Sequence, residues 1–201
     1  MKNGDLPRYA VYGGSFDPIH LGHVAAAQAV QGALELDEVV FVPNNRNPLR
    51  RGTYATGQDR LAMIHLAIED EEGLSLSDIE ITRPGRSYTI DTIQELLMVR
   101  PGNLWFVMGA DSLAGIMEWK QPERLARLCR LAVVNRPGNE LNDLLNRLPE
   151  DMVDAIDVVE MAPQRASSTM IRDDIAAGRS PEAWLAPKVW DYISERGLYQ
   201  L

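Results

Sequence analysis

The sequence predicts an α/β fold of three layers: a central, mostly parallel sheet with helices on both faces. Three observations carry that expectation. Short apolar runs alternate with longer segments of helical period, as in strand–helix–strand units with right-handed crossovers. The firmest strands are apolar at successive positions, as strands buried on both faces are; residues 38–42 read Glu-Val-Val-Phe-Val. Glycine, histidine, aspartate and arginine collect just after strands, where open parallel sheets bind ligands. A chain of 201 residues can build one such domain with its own core, and residues 1–201 are read as a single domain.

Tyr9–Tyr12 reads as the first buried strand. His23–Leu34 follows as a helix, with Val24, Ala27, Val30 and Leu34 near helical spacing. Glu38–Val42 is a second buried strand, ended by Pro43. Residues 44–57 form a polar loop that carries Arg46, Arg50 and Arg51. Gln58–Ile68 is helical, with Leu61, Ile64 and Ile68 on one side. Leu74–Ile81 alternates apolar and polar residues and is predicted to be an edge or half-exposed strand. A loop containing Pro84 and Gly85 leads to a helix over Thr89–Val99. Leu104–Met108 is a strong strand closed by Gly109-Ala110-Asp111-Ser112. Short helices are predicted over Asp111–Met117 and Gln121–Leu128, then a strand over Arg130–Asn135 closed by Arg136-Pro137-Gly138. A short helix over Leu141–Leu148, a strand over Ala155–Met161, and helices over Ser168–Ala177 and Pro187–Arg196 complete the chain.

The net charge of −9 argues against nucleic acid or an anionic membrane as a partner, since both need a basic footprint. It leaves room for phosphate ligands, which respond to local charge in a cleft. The single cysteine, Cys129, excludes an internal disulfide and fits a reducing, cytoplasmic setting. Residues 1–8 are polar and the apolar run after them is short, so no signal peptide is predicted. No apolar segment approaches the roughly 20 residues that span a bilayer. Oligomeric state is not encoded legibly; a homo-oligomer is allowed.

The chemistry centres on Tyr12-Gly13-Gly14-Ser15-Phe16-Asp17-Pro18-Ile19-His20-Leu21-Gly22-His23, between the first strand and the first helix. Gly13 and Gly14 permit a sharp turn and remove side chains that would block a ligand. The helix start offers unpaired N–H groups and the positive end of its dipole to an anion. His20 and His23 add donors at the same point, and Gly22 between them lets the backbone crowd a ligand. Such imidazoles can stabilise phosphoryl oxygens and the charge that develops on them in a transition state. The bland alternatives are a metal-binding H-x-x-H pair or a capping histidine. No second Cys/His cluster supports a structural zinc site. His65, inside an apolar helix, is read as structural. Neither G-x-G-x-x-G nor G-x-x-x-x-G-K-[ST] occurs, against an ordinary dinucleotide-binding domain and against a P-loop.

Gly13-Gly14-Ser15-Phe16-Asp17-Pro18-x-His20-x-Gly22-His23 resembles the signature of the nucleotidyltransferase superfamily that shares an H-x-G-H motif with class I aminoacyl-tRNA synthetases. Four further segments resemble the bacterial nicotinate-nucleotide adenylyltransferases: Val42-Pro43-Asn44 with its loop, Ser87-Tyr88-Thr89-x-Asp91-Thr92, Gly109-Ala110-Asp111-Ser112 with Trp119, and Ser167-Ser168-Thr169-Met170-Ile171-Arg172. The first motif specifies only the superfamily; the five in one order are specific. The resemblance implies a Rossmann-like sandwich and a reaction in which the phosphate of nicotinate mononucleotide attacks the α-phosphorus of ATP, giving deamido-NAD and pyrophosphate. Positioning and charge neutralisation supply most of the catalysis of such a transfer.

The resemblance also implies roles. His20 and His23 would be catalytic and would contact the ATP phosphates. Gly13, Gly14, Ser15, Phe16 and Gly109 would bind ATP, with Gly109 allowing adenosine close to the backbone. Asp111 would accept from the ribose hydroxyls or, in the bland reading, cap a helix. Ser167, Ser168, Thr169 and Arg172 would grip the ATP phosphates from a second helix N-terminus, one of the hydroxyls also capping it. Mg²⁺ would arrive with ATP, bridging its phosphates, with no dedicated protein carboxylate cluster and so no metal-ligating residue. For the mononucleotide, Trp119 would stack on the pyridine ring, or be an ordinary core tryptophan. Tyr88 and Thr89 would offer backbone N–H groups to the nicotinate carboxylate. Asn44, Arg50 and Arg136 complete that half.

Two departures from the family pattern stand out. The loop after the second strand reads Asn47-Pro48-Leu49-Arg50 where the family usually has Pro-Pro-His-Lys. Lys120 stands where an aromatic residue often follows the tryptophan. The rival readings are a nicotinamide-mononucleotide or phosphopantetheine adenylyltransferase, and a nucleotide-binding regulatory protein without turnover.

Overall fold

The computed structural model describes residues 6–46, 48, 52–135, 141–162 and 164–200. The chain opens with β1 (Arg8–Gly14), α1 (Leu21–Ala33), β2 (Glu38–Pro43), α2 (Gly57–Ile68), β3 (Leu74–Leu76), α3 (Ile79–Thr82), α4 (Thr89–Val99) and β4 (Asn103–Gly109). It continues with α5 (Ala110–Ala114), a 3₁₀ turn, α6 (Pro122–Leu128), β5 (Arg130–Asn135), α7 (Leu141–Leu145), α8 (Glu150–Val153) and β6 (Ile156–Glu160). It closes with α9 (Ser168–Ala176), a second 3₁₀ turn and α10 (Pro187–Glu195).

The strands form one six-stranded sheet in the order β3-β2-β1-β4-β5-β6. Every pairing is parallel, so the expected mostly parallel sheet is parallel throughout. The alternation of side chains along each strand builds two cores. Ala10, Val39, Phe41, Trp105, Val107, Ala132 and Val134 face Val24, Val30, Ile64, Ile171 and Val189, from α1, α2, α9 and α10. Tyr9, Val11, Val40, Val42, Leu104, Phe106, Leu131 and Val133 face Ile90, Ile93, Leu113, Leu125 and Met152, from α4, α5, α6 and α8. Helices therefore cover both faces, and the interior residues of the central strands β1, β2, β4 and β5 are apolar at successive positions because both of their faces are dry.

The chain order reverses between β1 and β4, which are paired neighbours. The cleft at the carboxyl ends of such strands is the ligand position of open α/β sheets. Gly14, Pro43, Gly109 and Asn135 end their strands there.

The expected strand over Leu74–Ile81 is corrected. Only Leu74–Leu76 is strand; Ile79–Thr82 is a helical turn. The Ser77 N–H donates to the Phe41 carbonyl at the last pairing, and Glu80 then turns inward, 7% exposed, to accept from Thr92 Oγ1 at 2.5 Å. The expected helix over Asp111–Met117 breaks at Gly115 into α5 and a 3₁₀ turn over Ile116–Glu118. Residues 141–148 are helical only to Leu145. His65 is exposed on α2, not packed within it. Among the described residues, no helix is long and apolar enough to cross a membrane. Arg50 and Arg136, with Leu49 and Arg51, lie outside the described residues.

Candidate active site

β1 runs through Gly13 and Gly14 instead of stopping at Tyr12, so these glycines belong to the strand and not to the turn. A Cβ at Gly14 would lie 2.8 Å from the Phe16 ring, and one at Gly13 would lie 3.0 Å from Phe106. Their missing side chains make room for aromatic rings of the protein. The turn itself falls at Phe16, which holds a positive φ of 47° and is 2% exposed. Gly22 is used in the same way: a Cβ there would meet the His20 ring at 3.0 Å.

His20 is the residue that precedes α1, and His23 is its third helical residue. The His20 backbone N–H donates to His23 Nδ1 at 3.2 Å. An accepting Nδ1 leaves the proton of the neutral ring on Nε2, so His23 presents a donor. The two imidazoles stack with centroids 3.7 Å apart. Phe16 packs edge-on against His23 at 5.1 Å and Tyr12 at 6.1 Å, which fixes the ring direction.

α9 meets this loop across the cleft. Ser168 Oγ donates to the Pro18 carbonyl at 2.8 Å, and Arg172 Nη1 donates to the Asp17 carbonyl at 2.6 Å. Ser167 is the cap: its Oγ accepts from the Met170 N–H at 3.2 Å. Arg172 Nη2 donates to Thr169 Oγ1 at 3.2 Å. The two stretches singled out as phosphate-handling are thus one structure, with two helix N-termini, two imidazoles and a guanidinium at one place. That arrangement suits an extended phosphate anion.

Asp17, Arg60 and Tyr199, all outside the expected set, hold the arrangement. Asp17, 4% exposed, accepts from the Tyr54 N–H (2.7 Å), the Ala55 N–H (3.1 Å) and the Tyr199 hydroxyl (2.8 Å). Burial, and then the Asp17 carboxylate, raise the Tyr199 phenol above its ordinary range, so it remains a donor. Arg60, 1% exposed, donates from Nη1 to the Ser15 carbonyl and from Nη2 to the Asn44 carbonyl, each at 2.7 Å. Burial lowers its pKa and Asp17 opposes this; a guanidinium keeps its charge and places a cation beneath the loop. Asn44 Nδ2 reaches Ser15 Oγ at 3.2 Å. Asp17 is legible only as part of its motif, and Arg60 carries no signal beyond being a charge on an amphipathic helix.

On the other side of the switch point, Gly109 precedes α5 and has open space where a Cβ would point. Asp111 is exposed in the first turn of α5, and the capping position is Gly109. Asp111 is therefore not a cap; it lines a 250 Å³ cleft with Ala110, Ala114, Asp143 and Arg147. The remaining expected residues form a second group. Trp119 is half-buried at the margin of the core, its ring edge-on to Phe106 at 5.8 Å. Tyr88 immediately precedes α4 and Thr89 begins it. Lys120 Nζ contacts both Asp91 carboxylate oxygens at 2.8 Å and lies 4.8 Å above the Tyr88 ring. This brings the Trp119 segment to the N-terminus of α4. The Asn45 N–H donates to Ser87 Oγ and the Ser87 N–H to the Arg46 carbonyl, each at 2.9 Å, which joins the loop after β2 to the same place.

Known proteins share this plan. Residues 11–174 match the Cytidylyltransferase-like family. Two relatives carry the name "Probable nicotinate-nucleotide adenylyltransferase". The one from Leifsonia xyli subsp. xyli is 39% identical over 196 residues, 96% of this chain and 94% of its own. The one from Herpetosiphon aurantiacus is 38% identical over 199 residues, 96% and 99% of the two chains. This chain belongs to the nicotinate-nucleotide adenylyltransferases. The family is one of nucleotidyltransferases, as the H-x-G-H loop implied. The fold agrees as well. The nicotinic acid mononucleotide adenylyltransferase of Plasmodium falciparum, solved with NaAD, superposes with a TM-score of 0.78 at 19% identity, over 96% of this chain and 97% of that one.

Within this adenylyltransferase fold, then, the sequence motifs fall into two groups. His20, His23, Ser167–Thr169 and Arg172 lie together, and Tyr88, Thr89, Trp119 and Asp91 lie together. Tyr54, which contacts Arg172, is a further residue outside the expected set; no local signal marks it.

Proposed function

We propose that the chain is a nicotinate-nucleotide adenylyltransferase of NAD biosynthesis: the phosphate of nicotinate mononucleotide displaces pyrophosphate from the α-phosphorus of ATP, and deamido-NAD leaves. The observation that carries this reading is the junction of the His20–His23 helix start with α9, made by Ser168 on the Pro18 carbonyl and Arg172 on the Asp17 carbonyl. It concentrates N–H donors where an ATP triphosphate needs them, while the full-length relatives bear the matching name.

In this reading the Nε2–H of His23 and the ring of His20 stabilise charge on the α-phosphate as the P–O bond to pyrophosphate lengthens. Arg172 and the α9 N-terminus hold the departing phosphates. Asp111 takes the ribose hydroxyls and Gly109 leaves space for adenosine. Trp119 stacks on the pyridine ring, and the α4 N-terminus receives its carboxylate. An amide gains less there, which favours the acid substrate. Mg²⁺ fits as an ion carried by ATP. The Asp17 carboxylate already accepts three hydrogen bonds, and the other groups described at this place are imidazoles and a guanidinium, so a hard cation would rely on phosphate oxygens and water. When bound, it neutralises phosphate charge. The lone cysteine, Cys129, is free and buried, in keeping with a reducing, cytoplasmic setting.

The test is pyrophosphate release from ATP with nicotinate mononucleotide, nicotinamide mononucleotide or phosphopantetheine as second substrate. Turnover highest with the first is expected. Equal rates with the two pyridine nucleotides would remove the specificity, and no turnover with any would leave a binding protein.

A further inference from the structure

We infer that Tyr54 is a positioning residue for Arg172, and that through it Tyr54 forms part of the ATP phosphate site. Tyr54 is 77% exposed, an unusual setting for a large ring that no core contact explains. Its ring lies 4.5 Å from Arg172 Cζ, face against guanidinium. The pair is held from one buried point. Asp17 takes the Tyr54 N–H on Oδ2 at 2.7 Å and the Ala55 N–H on Oδ1 at 3.1 Å, while its own carbonyl takes Arg172 Nη1 at 2.6 Å. Ring and guanidinium are therefore both referenced to the loop that carries His20. Thr169 Oγ1 fixes the other edge of the guanidinium at 3.2 Å.

This leaves Arg172 useful and not merely anchored. A guanidinium has five N–H donors in a rigid plane. Among the described residues two are spent on Asp17 and Thr169, and the ring covers one face without using any. Three donors remain for an anion at the start of α9. A free arginine side chain loses much rotamer freedom when it binds; one already stacked and tethered has lost it beforehand, and its ligand binds more tightly for that reason. The hydroxyl of Tyr54 has no part in the argument. The ring face does.

The inference rests on the adenylyl-transfer reading only in naming ATP as the anion, so its test measures binding and not turnover. ATP affinity is measured by calorimetry for the full chain, Tyr54→Ala and Tyr54→Phe, and for Tyr54→Ala in an Arg172→Met background; nicotinate mononucleotide affinity and Tm are measured beside it. Tyr54→Ala should weaken ATP about two- to fivefold, the range of an exposed cation–π contact, with mononucleotide affinity and Tm unchanged. Tyr54→Phe should match the unsubstituted protein, and Tyr54→Ala should add nothing once Arg172 is gone. An unchanged ATP affinity in Tyr54→Ala, an equal loss in Tyr54→Phe, the same loss in the Arg172→Met background, or a parallel loss of mononucleotide affinity would each overturn it. A protein that binds ATP but does not turn over the mononucleotide refutes the adenylyl-transfer reading and leaves this comparison standing; one that binds no ATP refutes both.

Discussion

The His20 and His23 imidazoles lie face to face, 22° from parallel, and the Nδ1 atom of His23 accepts the backbone N–H of His20. That hydrogen bond leaves the proton of a neutral His23 ring on Nε2, while the Phe16 and Tyr12 edges help to fix the ring direction. His23→Ala should lower kcat by roughly 10² or more with ATP affinity little changed, as loss of a transition-state donor does. Steady-state kinetics with a parallel ATP titration checks this; a near-normal kcat would refute the role.

Lys120 stands where the family often has an aromatic residue and spends its charge on Asp91, in the first turn of α4, the helix proposed to receive the pyridine carboxylate. Lys120→Ala leaves that aspartate uncompensated beside an anionic substrate. KM for nicotinate mononucleotide should rise several-fold, less so at high salt, while Tm hardly moves, since an exposed pair contributes about 1 kcal/mol at most. Trp119→Ala should raise the same KM. An effect of either substitution confined to Tm would indicate a packing role.

Gly14 has no room for a methyl group beside Phe16. Gly14→Ala should cost about 1–3 kcal/mol, the range for overpacking, because the ring it strikes is walled by Tyr12, His23 and Phe41. Denaturant unfolding measures the loss. The displaced ring touches His23, so kcat should fall with stability, whereas Gly109→Ala, which meets nothing, should leave stability intact.

Asp59 links the start of α2 to α10. Its Oδ2 accepts from Thr56 Oγ1 at 2.6 Å, and its Oδ1 from Tyr192 Oη at 2.9 Å and Arg196 Nη2 at 2.8 Å. The Thr56 hydroxyl first, and then Arg196 and Tyr192, hold its pKa below the ordinary 3.8 against the opposing effect of burial. A lowered folded-state pKa gives stability that is fully present above the ordinary value and is lost as pH falls through the lowered one. The Tm gap between the protein and Asp59→Asn should therefore be widest near neutrality and shrink below about pH 4. Thermal unfolding across that range measures it.

How much of this was legible beforehand follows from the range of each interaction. Strand and helix periods report which face a residue buries, and that is local. The sequence by itself therefore determined the β/α alternation, the helices and the dry strands, and through its motifs the H-x-G-H loop, the Ser167–Arg172 helix start and the family. Local pattern failed where a distant partner decided. Leu74–Ile81 alternates as a strand does, yet Glu80 turns inward because the Thr92 hydroxyl, twelve residues on, donates to its carboxylate. Gly13 and Gly14 look like turn residues, yet they are strand residues that make room for Phe106 and Phe16. Only the tertiary structure decided that Asp17 would bind Tyr199 across 182 residues, that the His20 loop would meet Ser168 across 150, and that an exposed tyrosine would lie on Arg172. Those contacts follow from the strand order, which places β1 at the centre of the sheet and gathers the strand ends around it, and no periodicity in the chain records that order.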